Sequence, residues 1–126
     1  MQGLDPLHLV AWTGYVLNFT SQQWLTPEES SRPIWWHILV VIVPNKLEYS
    51  NTPFLWITDG DNGDDAIPDP LGKDMLIAAD FAVSTKTIGA ALFQIPNQPL
   101  EFAGDPLGKR RSEDAIIGIH YTYLLE

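Results

Sequence analysis

One nearly unbroken apolar stretch decides the predicted fold: Ile34-Trp35-Trp36-His37-Ile38-Leu39-Val40-Val41-Ile42-Val43, which ends at Pro44. The stretch is rich in β-branched residues, and its length is that of a strand rather than a helix. A continuous run of this kind is typical of a strand buried on both faces, in a sheet covered by helices on both sides. His37 interrupts the run, and we favour a buried histidine bonded to the backbone over a catalytic base.

Weaker patterns surround this strand on both sides. The second half of the chain alternates strand and helix, an order typical of an α/β sheet with parallel crossovers. A face of Met75, Ala78, Ala79 and Ala82 marks the first helix, with Asp74 as its N-cap. The apolar residues Ile116, Ile119 and Tyr123 mark a second helix, which Ser112 could cap. Further strands are predicted at residues 13–24, 54–58 and 88–95, and the first helix at 74–86.

Composition describes one packed domain, residues 1–126. The chain has 126 residues, 45% of them hydrophobic, no Cys and a net charge of −9. The lack of Cys excludes disulfides, thiolate metal sites and cysteine nucleophiles. The charge argues against nucleic-acid partners, which require Lys and Arg at the phosphates. No apolar run is long enough to span a membrane, and the first ten residues do not form a signal peptide.

The negative charge is concentrated between Asp59 and Asp80. This segment contains seven Asp and one basic residue, Lys73, and has a net charge of −6. Within this segment, Asp59-Gly60-Asp61-Asn62-Gly63-Asp64-Asp65 has the carboxylates that a hard cation such as Ca²⁺ prefers. Its spacing does not match a helix-loop-helix calcium loop, and we favour a solvated turn. We therefore predict no metal site and no cofactor.

Two further segments have alternative interpretations. Gln94-Ile95-Pro96-Asn97-Gln98-Pro99 predicts a rigid polar turn, either structural or part of a cleft wall, in which either X-Pro bond could be cis. Asn18-Phe19-Thr20 fits the N-glycosylation pattern, although it falls in a predicted strand. The basic run Lys109-Arg110-Arg111 is predicted to be a solvated loop rather than an anion site.

Motifs for common enzyme chemistry are absent. The sequence has no Gly-x-Ser-x-Gly, no dinucleotide or phosphate-binding Gly pattern and no His-Glu-x-x-His. Its histidines, His8, His37 and His120, lie far apart in sequence. We therefore assign no catalytic residue.

Four ordered blocks resemble one family, the PhoPQ-activated pathogenicity-related proteins, which also includes the autocrine proliferation repressor proteins. The first block is a Thr-Ser-Gln-x-Trp-Leu motif, and the second is an Arg-Pro-x-Trp-x-His strand entry. The others are the two most distinctive blocks of the family. In this sequence they are Thr20-Ser21-Gln22-Gln23-Trp24-Leu25, Arg32-Pro33-Ile34-Trp35-Trp36-His37, Gln94-Ile95-Pro96-Asn97-Gln98-Pro99-Leu100 and Ser112-Glu113-Asp114-Ala115-Ile116-Ile117.

The resemblance implies the N-terminal portion of an α/β-hydrolase-like, mostly parallel sheet with flanking helices. Residues 1–126 would then form a single incomplete domain that lacks the nucleophile-elbow half, in a secreted or extracytoplasmic protein. Where the family has Thr-Gly-Gly followed by Asn, this chain has Thr58-Asp59-Gly60-Asp61-Asn62. The candidate binding residues are those of this oxyanion-like loop and of the cleft wall, namely Asp59, Gly60, Asp61, Asn62, Gln94, Asn97 and Gln98.

Three functions follow as hypotheses. The first is a non-catalytic binding or secreted signalling segment that resembles a growth repressor. The second is the front half of a serine-hydrolase-like enzyme whose catalytic residues lie on a missing segment or another chain. The third is a truncated subunit of a larger assembly. In each case we expect Ile88–Ile95 to form an exposed sheet edge, covered by a completing polypeptide, a protein partner or a second copy.

Overall fold

The chain forms one mixed sheet and two helices in a computed structural model that describes residues 2, 3 and 6–124. The side chains of His120 and residues 122–124 lie outside the description, including the predicted apolar Tyr123. The elements in chain order are β1 (Gln2–Gly3), β2 (Leu7–His8), β3 (Trp12–Gln23), β4 (Ile34–Pro44), β5 (Tyr49–Ile57), α1 (Lys73–Thr85), β6 (Thr87–Leu92) and α2 (Asp114–Leu124).

The predicted fold class, a mostly parallel α/β-hydrolase-like sheet, is wrong. The strand order is β1-β3-β4-β6-β5, and β2 also pairs with β3. Among the described strands only β5 and β6 pair in parallel, while every other pair is antiparallel. The sequence alternation gave the crossover from β5 through α1 to β6 correctly. The same alternation did not indicate the long antiparallel pairing of β3 with β4, which is the most extensive pairing in the sheet.

The predicted open edge is also misplaced. β6 lies between β4 and β5, so Gly89 to Leu92 have neighbouring strands on both sides. The edge next to β6 is instead β5, which begins at Tyr49 rather than at the predicted Phe54. Its early residues are polar and include Pro53, so they lacked the apolar pattern that strand prediction needs.

The main core lies between the sheet and α1. Met75, Ala78, Ala79 and Ala82 of α1 are buried, which confirms the predicted small-residue face. The alanine side chains of this face let α1 lie close to β6, where a Cβ on Gly89 would meet Ala82 Cβ at 3.0 Å. The sheet residues of this core include Val16, Val40, Ile42 and Ala91, all 0–1% exposed.

The caps of the helices differ from the prediction. The N-cap of α1 is Gly72, not Asp74, and Gly72 makes no side-chain capping bond. Asp74 instead lies in the first turn, where its carboxylate accepts a hydrogen bond of 2.9 Å from Trp56 Nε1. Lys86 ends the helix in a left-handed conformation and forms an ion pair with Glu48. The second helix starts at Asp114, two residues after the predicted cap Ser112.

Candidate functional site

Two loops that are distant in sequence meet beyond the ends of β5 and β6. The amide N–H of Gln94 donates to the Asp59 carbonyl at 3.1 Å, and that of Asn62 donates to the Gln98 carbonyl. Asp61 also forms an isolated parallel bridge with Gln98. The predicted oxyanion-like loop and the predicted cleft wall are therefore in direct contact.

The amide side chains of these loops are turned inward. Gln94 is 2% exposed, and its Oε1 accepts from the Ile38 amide at 3.0 Å. Its Nε2 donates to the carbonyls of Asp61 and Asp64. Asn62 is 8% exposed and donates to the Pro99 carbonyl at 2.8 Å. Because these groups already bond to backbone atoms, their role here is to hold the two loops together.

The remaining two amides continue this network. Asn97 is fully buried and donates to the Trp36 carbonyl at 2.7 Å, while its Oδ1 has no partner among the described residues. Gln98 accepts a hydrogen bond of 2.8 Å from the Glu113 amide at the start of the α2 region. Both X-Pro bonds of this loop, Ile95–Pro96 and Gln98–Pro99, are cis.

The exposed side of the loop pair forms an acidic cleft of about 290 Å³ against the start of α1. Gly60 lies at its wall with a φ of 127°, a conformation that L side chains rarely adopt. Apolar residues such as Met75 and Phe93 form part of the lining. The charged residues of the lining are Asp59, Asp64, Asp69, Asp74 and Lys73.

Within residues 2, 3 and 6–124, no group of three or more His, Asp or Glu side chains is placed to hold a metal ion. The carboxylates around the cleft are therefore spread out rather than convergent. The potential glycosylation residue Asn18 lies in β3 and is exposed.

The basic run before α2 includes one structural ion pair. Arg111 donates through Nε and Nη2 to both carboxylate oxygens of Asp105, each at 2.7 Å. The Arg111 guanidinium and the amides of Leu107 and Lys109 hold the pKa of Asp105 well below its usual range. Arg111 thus closes the 105–111 loop, whereas Lys109 and Arg110 stay exposed as predicted.

Sequence reasoning missed a serine–histidine contact. Ser21 Oγ lies 2.8 Å from His37 Nε2, and His37 Nδ1 lies 3.0 Å from the Gln94 carbonyl. His37 is 1% exposed, which confirms the prediction of a buried histidine bonded to the backbone. The contact joins residues 16 apart on two strands, and only the β3–β4 register could have revealed it.

The side of the sheet opposite α1 is also apolar, and we call its central part the second face. It consists of two rows that follow the strand register from β3 to β5. One row is Leu17, Leu39, Leu92 and Ile57, and the other is Tyr15, Val41, Ala90 and Leu55. Tyr15 is 45% exposed, Leu55 51% and Ile57 57%, while the other five are partly buried.

The α2 side of the sheet is closed only near one end. There Leu100, Phe102 and Ile116 are buried in a small second core, with Trp24 and Trp35 packed against them. The two indole rings meet edge to face at 5.4 Å. Among the described residues, nothing comparable covers the second face.

Neither described helix is long and apolar enough to cross a membrane.

Comparison with known proteins then gives the family. The family model of the PhoPQ-activated pathogenicity-related protein matches residues 7–126. The chain belongs to this family, as the four sequence blocks predicted.

One curated relative is the autocrine proliferation repressor protein A of Dictyostelium discoideum. The two are 33% identical over 119 residues, which is 94% of this chain. The chain spans only 22% of the length of that relative. No solved structure matches the chain.

Proposed function

We propose that this chain is a non-catalytic binding segment of a secreted, growth-repressor-like family protein, and that the second face is its binding surface. The observation that carries the proposal is the pair of in-register apolar rows, which include three side chains that are 45–57% exposed. Soluble monomers rarely expose contiguous apolar patches larger than a few hundred Å².

The partner that fits this surface is the apolar side of a protein segment. The second face is the broad surface of a sheet, which suits an amphipathic helix laid across the strands rather than a small ligand. An anionic membrane attracts basic surfaces, whereas this chain has a net charge of −9. The relative in Dictyostelium is much longer than this chain, so other parts of such proteins are one source of that segment.

The repressor-like role rests on the family and on the name of that relative. A chimera tests the role and the surface together. This chain would replace the matching segment of the Dictyostelium protein, and the chimera would be expressed in cells that lack that protein. We expect the chimera to be secreted and to slow proliferation.

Two substitution variants separate the second face from general damage. Leu55→Gln combined with Ile57→Thr should abolish the effect on proliferation while the chimera is still secreted. Leu76→Gln is the matched control, because Leu76 is an α1 residue with a similar exposed fraction of 47%. Full activity of the Leu55/Ile57 variant would contradict the proposed surface, and an inactive but secreted parent chimera would contradict the proposed function.

A further inference from the structure

The hydrogen bonds of His37 fix its tautomer. The Gln94 carbonyl can only accept, so His37 Nδ1 donates its proton across the 3.0 Å contact. In the neutral ring, Nε2 is then the unprotonated nitrogen, and it accepts the Ser21 hydroxyl proton at 2.8 Å. A carbonyl–histidine–serine chain of this kind is the arrangement in which a serine is activated as a nucleophile.

The surroundings keep the imidazole available as a base. Burial lowers the pKa of His37 from its usual value of 6.5, against smaller opposing effects of hydrogen bonds to the Gln94 and Phe93 backbone. The ring is therefore neutral at physiological pH. The hydroxyl of Ser21 also lies 3.4 Å from the Trp35 carbonyl, a longer contact that competes poorly with the one to His37.

Ser21 is presented to solvent by a break in the sheet. Thr20 pairs with Trp36 and Gln22 with Trp35, so Ser21 is the extra residue of a β-bulge. Bulges of this kind re-aim a side chain and are common beside active sites. Ser21 is exposed although its partner His37 is buried. An attacking hydroxyl must be accessible to the ester, and the base that takes its proton must be shielded from water.

An apolar cavity of about 390 Å³ lies beside the bulge. Gln22 and Trp35, which flank Ser21 in the strand pairing, belong to its lining, together with Trp24, Pro96, Ile116 and Ile117. Trp35 Nε1 is buried and has no hydrogen-bond partner among the described residues. The lining suits a short hydrocarbon chain.

We propose that Ser21 is an acyl-acceptor site that takes the acyl group of an ester of an apolar carboxylic acid. Ser21 Oγ attacks the ester carbonyl carbon, and its proton passes to His37 Nε2. The bond from that carbon to the leaving oxygen then breaks, and the leaving group takes the proton from His37. The products are an acyl ester on Ser21 and a free alcohol or phenol, so atoms and charge balance.

This inference goes beyond the proposed binding function and does not depend on it. The reaction forms one ester bond on one serine hydroxyl, so each chain carries at most one acyl group at a time. A single equivalent of acyl group is therefore expected for each chain.

The test is to treat the purified chain with 4-nitrophenyl butyrate and to follow nitrophenol release and the intact mass. Peptide mapping should place one butyryl group on Ser21. Ser21→Ala should abolish this adduct, whereas Ser84→Ala should leave it unchanged. Ser84 is a fair control because it is an exposed serine whose hydroxyl donates to the Phe81 carbonyl. The rate at Ser21 should exceed that at Ser84 by at least about a hundredfold, the lower range of general-base catalysis.

A separate variant tests the role of His37 as the base. His37→Gln, if folded by circular dichroism, should lower the acylation rate by a similar factor. If that variant does not fold, the wild-type rate against pH decides, because a base of this kind loses rate as His37 becomes protonated. Three results would each overturn the proposal. They are a wild-type chain that is not labelled, equal labelling of the Ser21→Ala variant, and an acylation rate that does not depend on the protonation of His37. Release beyond one equivalent that requires Ser21 would support the nucleophile and would contradict the non-catalytic role.

Discussion

The two faces of the sheet are built from the same strands but differ in how completely they are covered. On the face towards α1, Val40 and Ile42 are 0% exposed. One residue away along β4, Val41 faces the other side and is only partly buried. At the free strand β5 the contrast is larger, with Leu55 51% exposed. The difference shows that hydrophobicity alone does not identify a closed core, because closure also depends on a packing element.

The largest effect should come from placing a charge on the covered face. Ile42→Asp would bury an unpaired carboxylate at a position that is 0% exposed, beneath α1. We expect a loss of more than about 4 kcal/mol in the free energy of unfolding, enough to leave the chain unfolded. Circular dichroism and a urea titration measure this, and a cooperative transition near that of wild type would contradict the view that α1 seals this face.

The next effect concerns the close approach of α1 to the sheet. Gly89→Ala would place a Cβ 2.7 Å from Phe54 Cε1 and 3.0 Å from Ala82 Cβ. We expect a loss of about 1–3 kcal/mol from overpacking. Gly63→Ala is the matched control, because a Cβ at Gly63 meets nothing within 4 Å and should change stability by less than about 0.5 kcal/mol. Equal stability of the two variants would mean that α1 does not pack tightly on β6.

The sequence could predict features of these faces that depend on neighbouring residues, but not those that depend on residues far apart in the chain. The positions of β3, β4, α1, β6 and α2 followed from local periodicity, and Met75, Ala78, Ala79 and Ala82 were correctly placed in the core. The pairing directions were not predictable, because a continuous apolar run such as Ile34–Val43 suits both parallel and antiparallel neighbours. The short polar start of β5 was missed for lack of an apolar pattern.

The candidate site also combines segments that local sequence predicts with contacts that it does not predict. The loops around Asp59 and Gln94 were recognised separately, from turn residues and from the family blocks. Their mutual contacts depend on residues 30 or more apart in sequence, which no local pattern encodes. The Ser21–His37 contact needs the β3–β4 register and the bulge at Ser21, and both are properties of the folded sheet.

A pH-dependent effect should come from His37, the buried histidine on the less covered side of the sheet. Its folded pKa lies below the 6.5 of the unfolded chain, so the unfolded state binds more protons as pH falls below 6.5. The free energy of unfolding should therefore decrease from pH 6.5 downward until the pH reaches the folded pKa. Urea titrations at about pH 7.5 and about pH 5.5 measure the decrease. A folded His37→Gln variant should lose this component, and an unchanged pH profile in that variant would assign the effect to other groups.

The smallest effect on stability should come from the exposed part of the second face. Leu55→Gln changes a side chain that is 51% exposed on a strand paired on one side only, so little apolar contact is lost. We expect a change of no more than about 0.5 kcal/mol in the free energy of unfolding. The same substitution should reduce the binding of a hydrophobic dye and any self-association seen by sedimentation, because both need an open apolar surface. A loss of about 2 kcal/mol or more would instead show that the second face is already closed within this chain, and the distinction between the two faces would then fail.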